Sequence, residues 1–248
     1  MKDFSDYRKN YTKYSLLEDE LVKDPFDLFK IWLKMAEDDD KIDEPNAFTL
    51  STVNKKNEPR NRVVLMKKLK QNGIVFFTNY DSKKGESIKK NKNVCLSFFW
   101  PSLEKQLIIN GICSKISEKD SDDYFYSRPL DSQIGALSSN QSKEIPNRQY
   151  IEEKFERIKK SKVKIKRPIN WGGFFVEINE FEFWQGRSNR LHDRIVFSKS
   201  KKMPWYADET LISTLESFDI DKSSNPFSTK LFTSLNLEAG LTKFLFFL

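Results

Sequence analysis

Tyr124, Arg128 and Ser132 stand four residues apart twice over, a spacing that puts a hydroxyl, a guanidinium and a second hydroxyl on one face of a continuous helix. Such a stripe suits a phosphate, because arginine offers paired N–H donors and the hydroxyls serve the remaining lone pairs. Pro129 bends or restarts that helix, so the stretch Ser127 to Gly135 is a candidate anion grip of uncertain register. A second candidate is Arg62-Val63-Val64-Leu65-Met66-Lys67, where strand alternation turns Arg62 and Lys67 to opposite faces. If both bind anions they bind different ones, as an enzyme with a phosphorylated cofactor and a phosphorylated substrate requires. Lys83, Lys84 and Arg194 are further cations at element ends, each an ordinary surface charge when taken alone. Arg190-Leu191-His192-Asp193-Arg194 carries the single histidine, read as a strand with Arg190 and His192 on one face and Asp193 on the other. The flanking arginines disfavour its protonation and leave a neutral imidazole for hydrogen bonding.

Other chemistries find little support. No G-x-x-x-x-G-K-[ST] occurs, and the 8 glycines never form G-x-G-x-x-G, so a phosphate must be held by side chains and turn amides. The pair Gly172-Gly173 reads as a bend or a close backbone approach entering a strand. With 1 His and 2 Cys, a zinc site would need carboxylates for nearly all its ligands, and metal catalysis is not expected. Cys95 and Cys113 lie in separate apolar runs, which fits a reducing compartment rather than a disulfide framework.

The elements that must position these groups follow from periodicity. Asp24-Pro25 offers an N-cap with proline at the first helical position, and Leu28, Phe29, Trp32, Met35 and Ala36 form an apolar stripe behind it. From there the period changes. Ala47–Val53, Arg62–Leu69, Ile74–Thr78, Val94–Trp100 and Gln106–Ile116 read as strands joined by turns short enough for antiparallel hairpins, hence a meander. Helices are expected after Asp81-Ser82, from Glu118 to Tyr126 and from Arg148 to Lys160, and strands return at 173–178, 180–185 and 193–197. Strands, then inserted helices, then strands again predict a β-rich α+β fold, a small antiparallel barrel with peripheral helices.

The 21 Phe and 5 Trp are too many for a disordered chain although 32% of residues are charged, and 248 residues suffice for one sizeable core. The formal charge of +7 favours anionic partners without choosing among them. A nucleic-acid binder would interleave basic and aromatic residues on one strand face, and no such concentration occurs. No stretch approaches the roughly 20 apolar residues that span a bilayer, so neither nucleic acid nor membrane is expected as a partner, and a cytoplasmic location is.

Taken in order, these segments resemble the pyridoxamine/pyridoxine 5'-phosphate oxidase family over roughly residues 5–200. The resemblance rests on Arg8 with Tyr11, Asp24-Pro25 leading to Trp32, Arg62 to Lys67, Phe76-Phe77-Thr78-Asn79, Leu103-Glu104-Lys105-Gln106, Ser127 to Gly135, Gln141-Ser142, Trp171-Gly172-Gly173-Phe174, Glu182 to Gly186 and Arg190 to Arg194. It implies an FMN-binding split-barrel homodimer with sites at the subunit interface. The implied reaction oxidises pyridoxamine or pyridoxine 5'-phosphate to pyridoxal 5'-phosphate in vitamin B6 salvage, by hydride transfer from substrate C4' to flavin N5, with O2 as acceptor and H2O2 as product. The implied FMN contacts are Arg62, Val63, Val64, Leu65, Phe77, Thr78, Lys83, Lys84, Gln106, Gln141, Ser142, Trp184 and Arg194. Lys67, Tyr124, Arg128 and Ser132 would hold the substrate phosphate, and Arg190 and His192 would act over its ring. Arg8 and Tyr11 match a mobile N-terminal segment that covers the site.

The same resemblance divides the chain into that segment (1–23), an oxidase domain (24–205) and an atypical tail (206–248). Lys83 replaces a common arginine, Phe77 replaces a frequent tyrosine, and the turn after Trp100 is short. Beyond Trp205 the expected Arg-Leu-x-Pro ending is replaced by a Ser/Thr/Asn-rich stretch closing on Phe244-Leu245-Phe246-Phe247-Leu248. Another split-barrel FMN oxidoreductase is the nearest alternative, and a basic nucleic-acid-binding protein is the remote one.

Overall fold

The computed structural model describes residues 1–17, 22–161, 164–199 and 205–208; the expected tail therefore lies outside the described residues from 209 onward. The chain starts its regular structure with α1 (Pro25–Glu37), where the Asp24 carboxylate accepts from the Phe26 N–H at 2.9 Å and Pro25 occupies a position whose N–H would have no partner in the helix. The strands β1 (Ala47–Val53), β2 (Pro59–Leu65), β3 (Lys68–Lys70) and β4 (Gly73–Asn79) follow. Then come α2 (Lys83–Lys90), β5 (Asn93–Trp100), β6 (Lys105–Lys115), α3 (Glu118–Ser127), α4 (Leu130–Ser138) and α5 (Arg148–Lys160). The strands β7 (Trp171–Gln185), β8 (Asp193–Ser198) and β9 (Tyr206–Asp208) complete the sheet.

Every pairing is antiparallel, as expected, but the order β2-β1-β5-β6-β7-β4-β3 is not a simple meander. β5 pairs with β1 rather than β4, and β4 crosses to pair with β7. The fifteen-residue β7 explains the split. One edge of it runs along β6, while the other is shared, β4 taking Trp171–Glu177 and β8 taking Glu180–Gln185. The segment expected as a single strand over Arg62–Leu69 is two, because Met66 turns into the core and its N–H donates to Asn46 O at 2.9 Å.

The core lies under α1. Trp32 meets Phe183 edge-on with ring centroids 5.1 Å apart, and Phe29 tilts against Phe98 at 5.4 Å. Phe29, Phe98, Phe181 and Phe183 are all fully buried, each contributing roughly 1.5–3 kcal/mol by removal of apolar surface from water. Their alternation along β5 and β7 leaves the opposite face of those strands free for other work.

Two local devices position the functional groups. Ser82 caps α2 from a buried position, donating to Asn79 O at 2.6 Å and accepting from Lys84 Nζ at 3.2 Å. Ser82→Ala should therefore lower stability by about 1 kcal/mol, a fall of about 2–4 °C in thermal midpoint for a chain this size, measurable by calorimetry. At the other end of the site, Arg167 bonds Asp122 at 2.6 Å, pairs with Glu118 and donates to Trp171 O at 2.6 Å. It thereby ties the start of α3 to the start of β7. Gly172 permits that approach, since a Cβ there would lie 2.9 Å from Ser121 Oγ on α3 and 2.2 Å from the Tyr80 hydroxyl oxygen.

Candidate functional site

The helix bearing Tyr124 is not continuous with the residues that follow. α3 ends at Ser127, Arg128 is extended (φ −77°, ψ 151°), and α4 restarts after Pro129. The expected helical stripe is thus broken by the proline, whose ring disfavours helix in the preceding residue. Even so, Tyr124, Arg128 and Ser132 line one cavity of about 670 Å³, together with Lys67 from the β2–β3 link and Lys84 from α2.

Two features make this cavity receptive to anions. Lys84 is buried and donates to Thr78 Oγ1 at 2.9 Å, Gln141 Oε1 at 3.0 Å and Ser82 Oγ at 3.2 Å, all neutral acceptors. Burial, with the nearby Arg62 guanidinium adding to it, pulls its pKa down to about 8. Arg128 lies 4.6 Å over the Trp171 ring, and its Nη1 is buried without a hydrogen-bond partner; burial likewise lowers its pKa. Among the described residues neither cation has a carboxylate partner. An unpaired buried cation is costly unless something negative completes it, so the donor set fits a ligand carrying phosphate. In the cavity wall Phe77 and Tyr124 stack at 3.8 Å between centroids and Trp171 continues the stack 5.6 Å from Phe77, forming a flat aromatic surface.

A second cluster forms where β7 ends and β6 and β8 begin. Gln106, Trp184 and Arg194 are neighbours in register across those strands, with Gln106 Nε2 donating to Ser97 Oγ at 3.2 Å and Arg194 paired to Glu182 at 3.3 Å. Arg194 Nε is buried without a partner. Arg190 and His192 precede β8 rather than lying on a strand face: Ser188–Arg190 form a 3-10 turn in which Asn189 and Arg190 take left-handed φ values of 58° and 61°. That turn lets the Arg187 N–H donate to His192 Nδ1 at 3.0 Å, which fixes the ring as an acceptor on that nitrogen. Tyr11 lies against the imidazole and Trp184, at 5.6 and 5.8 Å between centroids.

The candidate residues are therefore distributed over two places. Val63, Val64, Leu65, Lys67, Phe77, Thr78, Lys84, Tyr124, Arg128, Ser132 and Gln141 line the cavity, whereas Tyr11, Gln106, Trp184, Arg190, His192 and Arg194 gather at the far end of β7. Arg62 reaches back to Leu50 O and Thr52 Oγ1 at 2.9 and 2.8 Å, so it supports the cavity wall from behind. Lys83 and Ser142 are exposed at its margin, and Arg8 is exposed, bonded to Ser5 O. Sequence reasoning quoted Trp171 only as a motif member and missed its part as the platform under Arg128. The cation-π contact joins residues 43 apart in number, and no local spacing announces it. Ser139 and Ala136 were missed because α4 itself went unrecognised.

Comparison with known proteins is consistent throughout. A family model described as pyridoxamine 5'-phosphate oxidase matches residues 35–162, and one described as the pyridoxine 5'-phosphate oxidase C-terminal dimerisation region matches 171–209. The chain is 48% identical over 200 residues to a pyridoxine/pyridoxamine 5'-phosphate oxidase of Christiangramia forsetii, covering 80% of this chain and 94% of that one. It is 51% identical over 207 residues to the protein of that name from Flavobacterium psychrophilum, covering 83% and 97%. Among solved structures, PhzG from Burkholderia lata 383, in complex with tetrahydrophenazine-1-carboxylic acid, superposes with a TM-score of 0.73 at 24% identity, over 79% of this chain and 98% of that one. An FMN-binding protein related to pyridoxamine 5'-phosphate oxidase from Nostoc punctiforme gives 0.60 at 14%. These two likenesses bear on the fold alone, a split barrel. With the family models accounting for most of residues 35–209 and relatives near half identity over four-fifths of the chain, the protein belongs to the pyridoxamine 5'-phosphate oxidase family.

Proposed function

We propose that the chain oxidises pyridoxamine 5'-phosphate and pyridoxine 5'-phosphate to pyridoxal 5'-phosphate, with FMN as cofactor and O2 as final acceptor, yielding H2O2. One observation carries the reading: a single cavity, with an aromatic stack in its wall, holds two desolvated cations, Lys84 and Arg128, that have no acidic partner among the described residues. A phosphorylated cofactor and a phosphorylated substrate supply the two missing charges. FMN, when bound, supplies the two-electron acceptor for oxidation at the substrate's C4' carbon.

The protein's own share is binding and alignment. Lys84, with Thr78 and Gln141, would hold the cofactor phosphate, Lys67, Tyr124, Arg128 and Ser132 the substrate phosphate. Arg190 and His192 would orient the pyridine ring. The bond from the Arg187 N–H to His192 Nδ1 would hold the imidazole in a fixed orientation beside the substrate ring.

The geometry further supports a composite site. Trp171 borders the cavity and Trp184 belongs to the second cluster, at opposite ends of β7, roughly 40 Å apart along the strand at its usual rise. A pyridoxine phosphate does not reach that far. Two-fold pairing would bring the cavity of one subunit to the second cluster of its partner, so that each active site uses both chains of a homodimer. The reducing cytoplasm suits its two free cysteines, and among the described residues no helix is long and apolar enough to cross a membrane.

The test is phosphate dependence. Pyridoxine 5'-phosphate should be converted to pyridoxal 5'-phosphate while pyridoxine itself is left almost untouched; equal turnover of both would sink the assignment. A pH prediction follows from Lys84. Its ammonium binds phosphate only when protonated, so FMN affinity should be flat below its pKa of about 8 and weaken roughly fivefold from pH 8 to pH 9. Fluorescence titration at several pH values reads this directly, and a flat profile through pH 9 would exclude Lys84 from the phosphate site.

A further inference from the structure

The N-terminal segment is held on the second cluster by two carboxylates that no substrate or cofactor role accounts for. Glu104, in the β5–β6 turn, is 2% exposed. Its Oε2 accepts from the Thr12 and Lys13 N–H groups at 2.9 and 3.0 Å, and its Oε1 pairs with Lys9 Nζ at 3.3 Å. Asp193 Oδ2 accepts from the Leu16 N–H at 2.9 Å and from Arg187 Nη1 at 2.7 Å. Between these anchors Ser188 Oγ donates to Tyr11 O at 3.1 Å. Gly186 lies so close under the Tyr11 ring that a Cβ there would be 2.7 Å from Cγ. The two N–H groups gripped by Glu104 directly follow Tyr11, so the carboxylate sets where that ring meets His192 and Trp184.

We propose that Glu104 is a positioning residue: it clamps the strap of residues 9–16 so that Tyr11 closes over His192 and Trp184, with Asp193 as the second anchor. The chemistry favours an all-or-none clamp. A carboxylate buried in this turn needs its donors, and the strap supplies a charged one in Lys9. Burial pushes the Glu104 carboxyl upward, but the hydrogen bonds from Lys13, Lys9 and Thr12 outweigh it and leave the pKa below its ordinary value. The same glutamate takes a left-handed φ of 58°, a conformation that glycine adopts without strain. Its carbonyl accepts from Gln185 Nε2 at 3.1 Å and from the Gly186 N–H at 2.8 Å, and these main-chain bonds survive loss of the side chain. Glu104→Gly therefore removes the clamp while sparing the turn.

The kinetic consequence rests on the proposed oxidase function; the structural one does not. In the intact, ligand-free protein, trypsin should cut after Lys9 and Lys13 about tenfold faster in Glu104→Gly than in the wild type. In the FMN-loaded enzyme, KM for pyridoxine 5'-phosphate should rise about tenfold with kcat changed far less. Tyr11→Leu should do the same, and Glu104→Gly combined with Tyr11→Leu should be no worse than Tyr11→Leu alone, because one acts through the other. Should Glu104→Gly fail to fold, Glu104→Gln serves: it keeps an acceptor oxygen but loses the Lys9 ion pair, and cleavage should rise about threefold. Unchanged cleavage in the folded variant, or KM effects that multiply in the double variant, would overturn the clamp. A wild type without oxidase activity would instead overturn the functional reading, and the cleavage rates would still decide the clamp.

Discussion

Co-expressing the Arg128→Ala and Arg190→Ala proteins should restore about a quarter of wild-type oxidase activity, although each variant alone should lose about 100-fold. The losses follow from position. Arg128 Nη1 is buried and without a partner in the cavity, and removing a charge-assisted grip on phosphate costs about 1.5–3 kcal/mol. Arg190 stands beside His192 on the strained turn at the far end of β7, where loss of ring alignment costs about 100-fold in turnover; flavin content should stay near normal. The restoration would follow from the proposed shared site. Random pairing makes half the dimers mixed, and each mixed dimer has one site carrying both substitutions and one carrying neither, hence about a quarter of full activity. If each site were built from one chain, every site in the mixture would carry one substitution, and activity would stay at the level of the separate variants.

Lys84→Met separates binding from folding. The lysine is buried among Thr78, Ser82 and Gln141, and methionine fills similar volume without a charge to desolvate. Thermal stability of the flavin-free protein should therefore change little, since the lost hydrogen bonds are offset by the lost burial of charge. FMN affinity should fall at least about 30-fold, the worth of a strong charge-assisted contact, and the protein should purify nearly colourless. A large drop in stability with flavin affinity unchanged would mark Lys84 as a purely structural residue. Glutamine at 84 cannot substitute, because it lacks the charge, whereas arginine should recover part of the affinity if space allows its larger head group.

Much of the fold was legible locally. Asp24-Pro25, Ser82 and the Arg148–Lys160 helix were readable because caps and periodicity are short-range signals. The pairing of β4 with β7 and of β1 with β5 was not, since residues such as Phe77 and Gly173 meet across nearly a hundred positions. Pro129 was read as bending or restarting the helix, and the restart is what occurs, as α4 begins at Leu130; its end at Ser138 carries no signal in the sequence. Alternation placed Arg62 and Lys67 on opposite faces of one strand, but β2 ends at Leu65 and Met66 enters the core, so the two never share a strand. The turn at Asn189-Arg190 was misread as strand because positive φ in non-glycine residues leaves little trace in sequence. The residues that line the cavity stood out by type, whereas the division of the candidates between two ends of β7 follows from strand length and register alone.

On the proposed reading, Lys84 and Arg128, which have no carboxylate partner among the described residues, await the phosphates of FMN and of a pyridoxine-type substrate. The most direct measurement is to purify the whole chain, denature it, identify what is released, and assay the folded protein for pyridoxal 5'-phosphate and peroxide from pyridoxamine 5'-phosphate. The account predicts one FMN per subunit and equal amounts of the two products. A protein that neither retains nor rebinds FMN, or an FMN protein that leaves pyridoxamine 5'-phosphate unchanged, would contradict it.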